Sequence, residues 1–111
     1  DNPLPTCPRC GGLARPNILM FGDFSWLGAR ASAQSDRMNR WQERVGDKRI
    51  TVVECGAGGG VPTVRITSES MVRRHGATLV RINPREPRVP QGQISIPAGA
   101  AQTLAAIDAL L

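Results

Sequence analysis

A chain of 111 residues with 41% apolar content has room for one domain with its own core, and three cysteines cannot form a disulfide framework, which points to a reducing, cytoplasmic setting. No apolar run is long enough to span a bilayer and no charged-then-apolar signal segment opens the chain. A formal charge of +5 raises nucleic-acid binding, but the arginines are scattered and tyrosine is missing, so no stacking platform accompanies them and the composition argues against that class.

In chain order, Cys7-Pro8-Arg9-Cys10-Gly11-Gly12 comes first. A Cys-x-x-Cys turn supplies two thiolates, whereas a closed structural zinc site needs four ligands. Cys55 is far along the chain and His75, the single histidine, has no partner at ligand spacing. The turn is therefore half a zinc site at most.

Four short runs rich in branched residues follow, each bounded by Gly or Pro: Ile18 to Phe21, Ile50 to Cys55, Thr78 to Ile82 and Gln93 to Ile96. They barely alternate in polarity, as strands buried on both faces do. Between and after them lie helical patterns. Ala31, Gln34, Met38, Trp41 and Val45 recur at three- and four-residue spacing, with Ser35 or Asp36 able to cap and Gly46 to stop the helix. A second stripe runs from Pro62 to Gly76, and a third through Ala101, Leu104, Ile107 and Leu111. Strands alternating with helices predict an α/β fold: three layers, a mostly parallel sheet of about four strands, and helices on both faces. The expected core is Ile18, Leu19, Val52, Val53, Leu79, Val80, Ile82, Leu104 and Ile107. Pro84 to Gly92 reads as a proline-rich loop.

Parallel sheets bind ligands outside the carboxyl ends of their strands. Three loops leave such ends: Gly22-Asp23, Gly56-Ala57-Gly58-Gly59-Gly60, and Asn83. Glycines let a backbone approach a phosphate or ribose, yet a tight strand-to-helix turn explains the glycine run equally well. Asn83 before Pro84 also reads as a turn opener.

The order of these pieces resembles the C-terminal half of a sirtuin, an NAD-dependent protein deacylase. The family's second zinc knuckle, Cys-Pro-x-Cys-Gly-Gly, is matched by Cys7 to Gly12, and its Arg-Pro, aliphatic pair and Phe-Gly-Glu by Arg15-Pro16, Ile18-Leu19-Met20 and Phe21-Gly22-Asp23. Its apolar strand into Gly-Thr-Ser and Val-x-Pro is echoed by Val52-Val53-Glu54-Cys55-Gly56-Ala57-Gly58 and Val61-Pro62. Gly76-Ala77, Arg81-Ile82-Asn83 and Gly99-Ala100-Ala101 follow in the family's order.

The resemblance implies residues 1–15 as the second half of a zinc knuckle and 16–111 as the C-terminal part of a Rossmann-like NAD-binding domain. It assigns Gly56, Ala57, Gly58 and Asn83 to the adenosine ribose of NAD, and Ala100 and Ala101 to the adenine. Ile18, Phe21, Gly22 and Asp23 would contact an acylated-lysine protein substrate, and Cys7 and Cys10 would be zinc ligands. The family's general-base histidine, first phosphate loop and first Cys-x-x-Cys belong to its other half. His75 cannot inherit the catalytic role, because it falls in the last turn of a helix, so no catalytic residue is assigned. Ala57 and Gly58 lack the usual hydroxyls, and Asp23 is a methylene shorter than the usual Glu. A non-catalytic nucleotide-binding or interaction module is the alternative.

Overall fold

The computed structural model describes residues 2–111. Helix α1 spans Ala29–Val45, strand β1 Thr51–Cys55, helix α2 Thr63–His75, strand β2 Thr78–Ile82, strand β3 Ile94–Ile96 and helix α3 Ala100–Asp108. Two compact units, Asp1–Arg40 and Trp41–Leu111, divide the chain inside α1.

The second unit holds the sheet. Its strands lie in the order β1-β2-β3 and all pairs are parallel. Thr51 stands beside Thr78 and Cys55 beside Ile82, while Ile82 also faces Ile96. Branched residues favour these pleated segments, and the ladder continues at its edge where the Gln93 side chain accepts from the Leu79 N–H at 2.6 Å. Helix α2 packs on β1 and β2. Its limits are those the sequence suggests: Pro62 stands at the N-cap, and Gly76 closes the helix in the left-handed conformation at φ 61°. Arg73, Arg74 and His75 occupy the last turn, where positive charge complements the helix carbonyls. No helix among the described residues is long and apolar enough to cross a membrane.

The structure corrects several expectations. There are three strands among the described residues, not four, because Ile18–Phe21 forms none. Its backbone is spent in local turns: the Ile18 N–H donates to the Pro16 carbonyl at 2.8 Å and the Asp23 N–H to that of Met20 at 3.2 Å. Helix α1 begins at Ala29, so Ser35 and Asp36 are interior positions and not caps. The helical cover expected on both faces reduces, among the described elements, to one extensive helix–sheet packing, that of α2.

The apolar core is also smaller than expected. Met71, Ala77, Leu79 and Ile82 are buried, whereas Ile18, Leu19, Val53, Leu104 and Ile107 are exposed and Val52 and Val80 half-buried. Alternation along the strands gives the reason. Val53 points away from Glu54, and Glu54 and its neighbour Arg81 share the face on which Arg81 reaches Glu69 of α2. The side of the sheet under α2 is thus filled in large part by charge.

Candidate functional site

Parallel pairing of Cys55 with Ile82 and of Ile82 with Ile96 brings three strand ends side by side. The loops leaving them start at Gly56, Asn83 and Pro97, so the topology gathers two of the three strand-end loops read from the sequence, with the segment leading to Gly99 beside them, whereas Gly22-Asp23 follows no strand. Gly56 turns the chain at φ 67° and donates its N–H to the Ile82 carbonyl at 2.9 Å. The Asn83 N–H donates to the Ile96 carbonyl at 3.1 Å. Ala100 opens α3 behind Gly99, half-buried, with Ala101 exposed beside it.

The side chain of Asn83, itself buried, ties these loops together. Its Nδ2 donates to the Ala57 carbonyl at 3.0 Å, and its Oδ1 accepts from the Arg85 and Glu86 N–H groups at 3.0 and 2.9 Å. Asn83 therefore both opens a turn before Pro84 and fixes the glycine loop.

Arg65, in the first turns of α2, makes a second tie that the sequence reading missed. One terminal nitrogen donates to the carbonyls of Ala57 at 3.1 Å and Glu86 at 3.0 Å, and the other to that of Arg88 at 3.1 Å. The Glu86 carboxylate is 3.4 Å from the same guanidinium.

The glycines of the loop are not equivalent. Gly56 needs its positive φ, and a Cβ at Gly59 would come within 3.3 Å of the Glu86 carboxylate. Gly58 and Gly60 show neither constraint: a Cβ there would meet nothing within 4 Å. The fold itself does not demand glycine at those two positions, and the space before them is open.

Behind the edge lies a buried ion network, also missed. Arg81 engages both oxygens of Glu54, with Nη2 to Oε2 at 3.1 Å, reaches Glu69 Oε1 at 3.1 Å, and donates to the Arg88 carbonyl. Both side chains of the Arg81–Glu54 pair are 1% exposed. Burial pushes the Glu54 carboxyl up, but hydrogen bonding from Arg81 and the charges of Arg81 and Arg65 outweigh it and hold the group below its ordinary value. Glu54 in turn raises the pKa of Arg81 against the opposing effect of burial. The visible signal was a charged residue one position before the end of each of two apolar strands.

In the first unit, an isolated bridge joins Thr6 to Leu13 and closes the Cys7–Cys10 turn. The Cys7 N–H donates to the Gly12 carbonyl at 2.8 Å and the Gly11 N–H to that of Cys7 at 2.9 Å. Backbone N–H groups of Arg9 and Cys10, then the Cys10 thiol, lower the pKa of Cys7. Cys7 and Cys10 supply two thiolates, half of what a closed structural zinc site needs. No group of three or more His, Cys, Asp or Glu side chains able to hold a metal occurs among the described residues. Of the residues expected at a substrate groove, Asp23 pairs with Arg15 and accepts from the Ser25 hydroxyl at 3.2 Å. Its neighbour Gly22 turns at φ 71°, while Ile18 and Phe21 are exposed.

The chain is 36% identical over 109 residues to an NAD-dependent protein deacylase of Thermus thermophilus, a match covering 93% of this chain and 37% of that protein. It is a relative of the sirtuin-type deacylases. NAD-dependent protein deacylase 1 of Archaeoglobus fulgidus matches at 26% over 103 residues, covering 92% of this chain and 38% of that deacylase. An NAD-dependent protein deacylase of Aquifex aeolicus matches at 27% over 82 residues, 74% of this chain and 30% of its own length. The chain thus spans about a third of the curated deacylases it matches. No family profile and no solved structure matches it.

Proposed function

We propose that this chain is the C-terminal portion of a sirtuin-like NAD-dependent protein lysine deacylase, and that it supplies the adenosine side of the NAD cleft. On this reading residues 1–15 are the second half of a zinc knuckle, and 16–111 belong to a Rossmann-like domain that acts in the cytoplasm. The observation that carries the proposal is the open space before Gly58 and Gly60, at an edge where Asn83 and Ala57 are already joined. Glycines that the fold does not need are explained by a ligand that approaches the backbone closely.

In this role the loop N–H groups from Ala57 to Gly60 and the side of the Asn83 amide face the adenosine ribose, while the Gly56 N–H stays bonded to the Ile82 carbonyl. With Ala57 and Gly58 lacking hydroxyls, recognition falls to the backbone. Ala100 and Ala101, at the start of α3, border the adenine. Bound NAD supplies an ADP-ribose group that accepts the acyl group from lysine. Ile18, Phe21, Gly22 and Asp23 form part of the wall along which the acylated peptide lies, and Arg15 holds the Asp23 carboxylate ready. Cys7 and Cys10 are two of the four thiolates of a structural zinc.

Titration with ADP-ribose, followed through backbone amide shifts, tests the reading. Shifts confined to Gly56–Gly60, Asn83 and Ala100 are expected. Shifts spread evenly over the surface arginines would mean charge attraction only and would overturn it. The chain by itself is expected to show no deacylation, since a general base must lie within hydrogen-bond reach of the ribose and His75 closes α2 instead. Turnover by the isolated chain would remove the assignment of that base to another segment.

A further inference from the structure

The loop Gly56-Ala57-Gly58-Gly59-Gly60 carries no polar side chain, so whatever fixes its backbone must reach it from elsewhere in the chain. Two side chains do so, and both act on one atom. The Ala57 carbonyl accepts from Asn83 Nδ2 at 3.0 Å and from Arg65 Nη1 at 3.1 Å. Arg65 comes from the first turns of α2 with its side chain only 15% exposed, and the same guanidinium donates to the Glu86 and Arg88 carbonyls. One residue thereby joins the loops that leave β1 and β2.

A trans peptide group is planar, with its C=O and N–H on opposite sides. Holding the Ala57 carbonyl from two directions therefore turns the Gly58 N–H the other way, away from Arg65 and Asn83. Gly58 is exposed, and a Cβ there would meet nothing within 4 Å. Among the described residues the N–H groups of Ala57, Gly58, Gly59 and Gly60 donate to no protein acceptor, whereas that of Gly56 is spent on Ile82. A carbonyl bonded to a cation also polarises its own peptide, which strengthens the N–H on the far side as a donor. Loss of Arg65 would leave no buried acceptor alone: the Ala57 carbonyl keeps Asn83, the Arg88 carbonyl keeps Arg81, and Glu86 is exposed.

We propose that Arg65 is a positioning residue of the nucleotide site, holding the Ala57–Gly58 peptide so that the Gly58 N–H is aimed at the adenosine ribose before the ligand arrives. The proposal rests on the nucleotide reading above. Arg65 acts through the backbone, and Asn83 supplies the second hold. Its removal costs ligand affinity far more than it costs stability.

The experiment titrates ADP-ribose into the 111-residue chain and two variants, reading affinity by calorimetry and the loop by NMR. The unchanged chain is expected to show its leading amide shift at Gly58. Arg65→Met should weaken binding about tenfold. Before any ligand is added, it should also move the Ala57 carbonyl ¹³C resonance, as loss of a hydrogen bond to that oxygen requires, with little change in the urea midpoint. Glu86→Gln keeps all three carbonyl ties of Arg65 and should bind like the unchanged chain. If Arg65→Met binds as tightly as the unchanged chain, the positioning role is overturned and the nucleotide reading stands. If Glu86→Gln weakens binding as much as Arg65→Met does, charge beside the loop governs affinity and the role is again overturned. A fall in the urea midpoint that accounts for the lost affinity would make Arg65 a structural residue only. If the unchanged chain shows no shift along Ala57–Gly60, the nucleotide reading falls and the positioning role falls with it.

Discussion

Two arginine–carboxylate pairs, one in each unit, show how differently the same chemistry acts in different surroundings. Arg81 and Glu54 sit on neighbouring parallel strands, both 1% exposed, within a network that includes Glu69 and the Arg88 carbonyl. Arg15 and Asp23 meet across a turn, with the arginine side chain 53% exposed and that of the aspartate 9%. The first pair replaces apolar packing under α2. The second fastens a loop in contact with water. Buried charge that is fully hydrogen-bonded tolerates no half-measure, whereas an exposed pair can exchange its partner for solvent.

The largest expected effect follows directly. Arg81→Met leaves the Glu54 carboxylate buried without its partner and should cost about 3–5 kcal/mol in urea unfolding. Adding Glu54→Leu should restore much of that loss, because an apolar pair of similar volume often replaces a buried ion pair without penalty. If the single and double variants are equally unstable, the packing of the network matters more than its charge. Acid offers the same test without mutation. The folded-state pKa of Glu54 is depressed, so its contribution is fully present above the unfolded value, about 4.3. It is lost as pH falls through the lower folded value. Stability of the sheet unit that is flat down to pH 2 would contradict the pairing.

That contrast also explains what was legible in the sequence. Val52, Leu79 and Ile82 announced their strands, and Pro62 and Gly76 marked both ends of α2, because propensity and backbone geometry act locally. The run Ile18–Phe21 looked the same, but a strand also needs a neighbour, and this segment turns back on Pro16 and Met20 instead. Glu54 and Arg81 were passed over because a lone charge in an apolar run normally marks an exposed position. Only pairing of the two strands in register reveals that they answer each other. The gathering of the Gly56 and Asn83 loops at one edge was legible from the α/β order, whereas the Pro97 loop beside them was not singled out and Gly22-Asp23, read as a strand-end loop, follows no strand. The Arg65 tie to three carbonyls was not, since hydrogen bonds to main-chain atoms leave no residue-type pattern.

A smaller effect is expected at the edge itself. Asn83→Ala removes three hydrogen bonds and strands the buried ends of two loops, at about 1–3 kcal/mol. Asn83→Asp keeps the acceptor for the Arg85 and Glu86 N–H groups but cannot donate to Ala57. It should therefore preserve the Pro84–Gly92 loop while loosening the glycine loop. Hydrogen exchange at Gly58–Gly60 faster than at Arg85 and Glu86 in this variant would bear that out; equal acceleration of both loops would show that they move as one body.

The smallest effect belongs to the exposed pair, and it completes the comparison. Hydrogen bonding from Arg15, aided by its charge and by Ser25, holds the Asp23 carboxyl below its ordinary value against a weaker opposing effect of burial. Arg15→Met removes that support, so Asp23 should titrate closer to an ordinary aspartate when its carboxyl carbon is followed by NMR. The unfolding midpoint near neutral pH should fall far less than at Arg81, because the Asp23 carboxylate, though only 9% exposed, keeps the Ser25 hydroxyl and water can take the place of the arginine at a loop. The same substitution chemistry that dismantles the sheet unit at Arg81 should here move one carboxylate and little else. A loss of stability at Arg15 comparable to that at Arg81 would mean that the turn from Pro16 to Asp23 depends on its ion pair as the sheet does, and the distinction between the two units would fail.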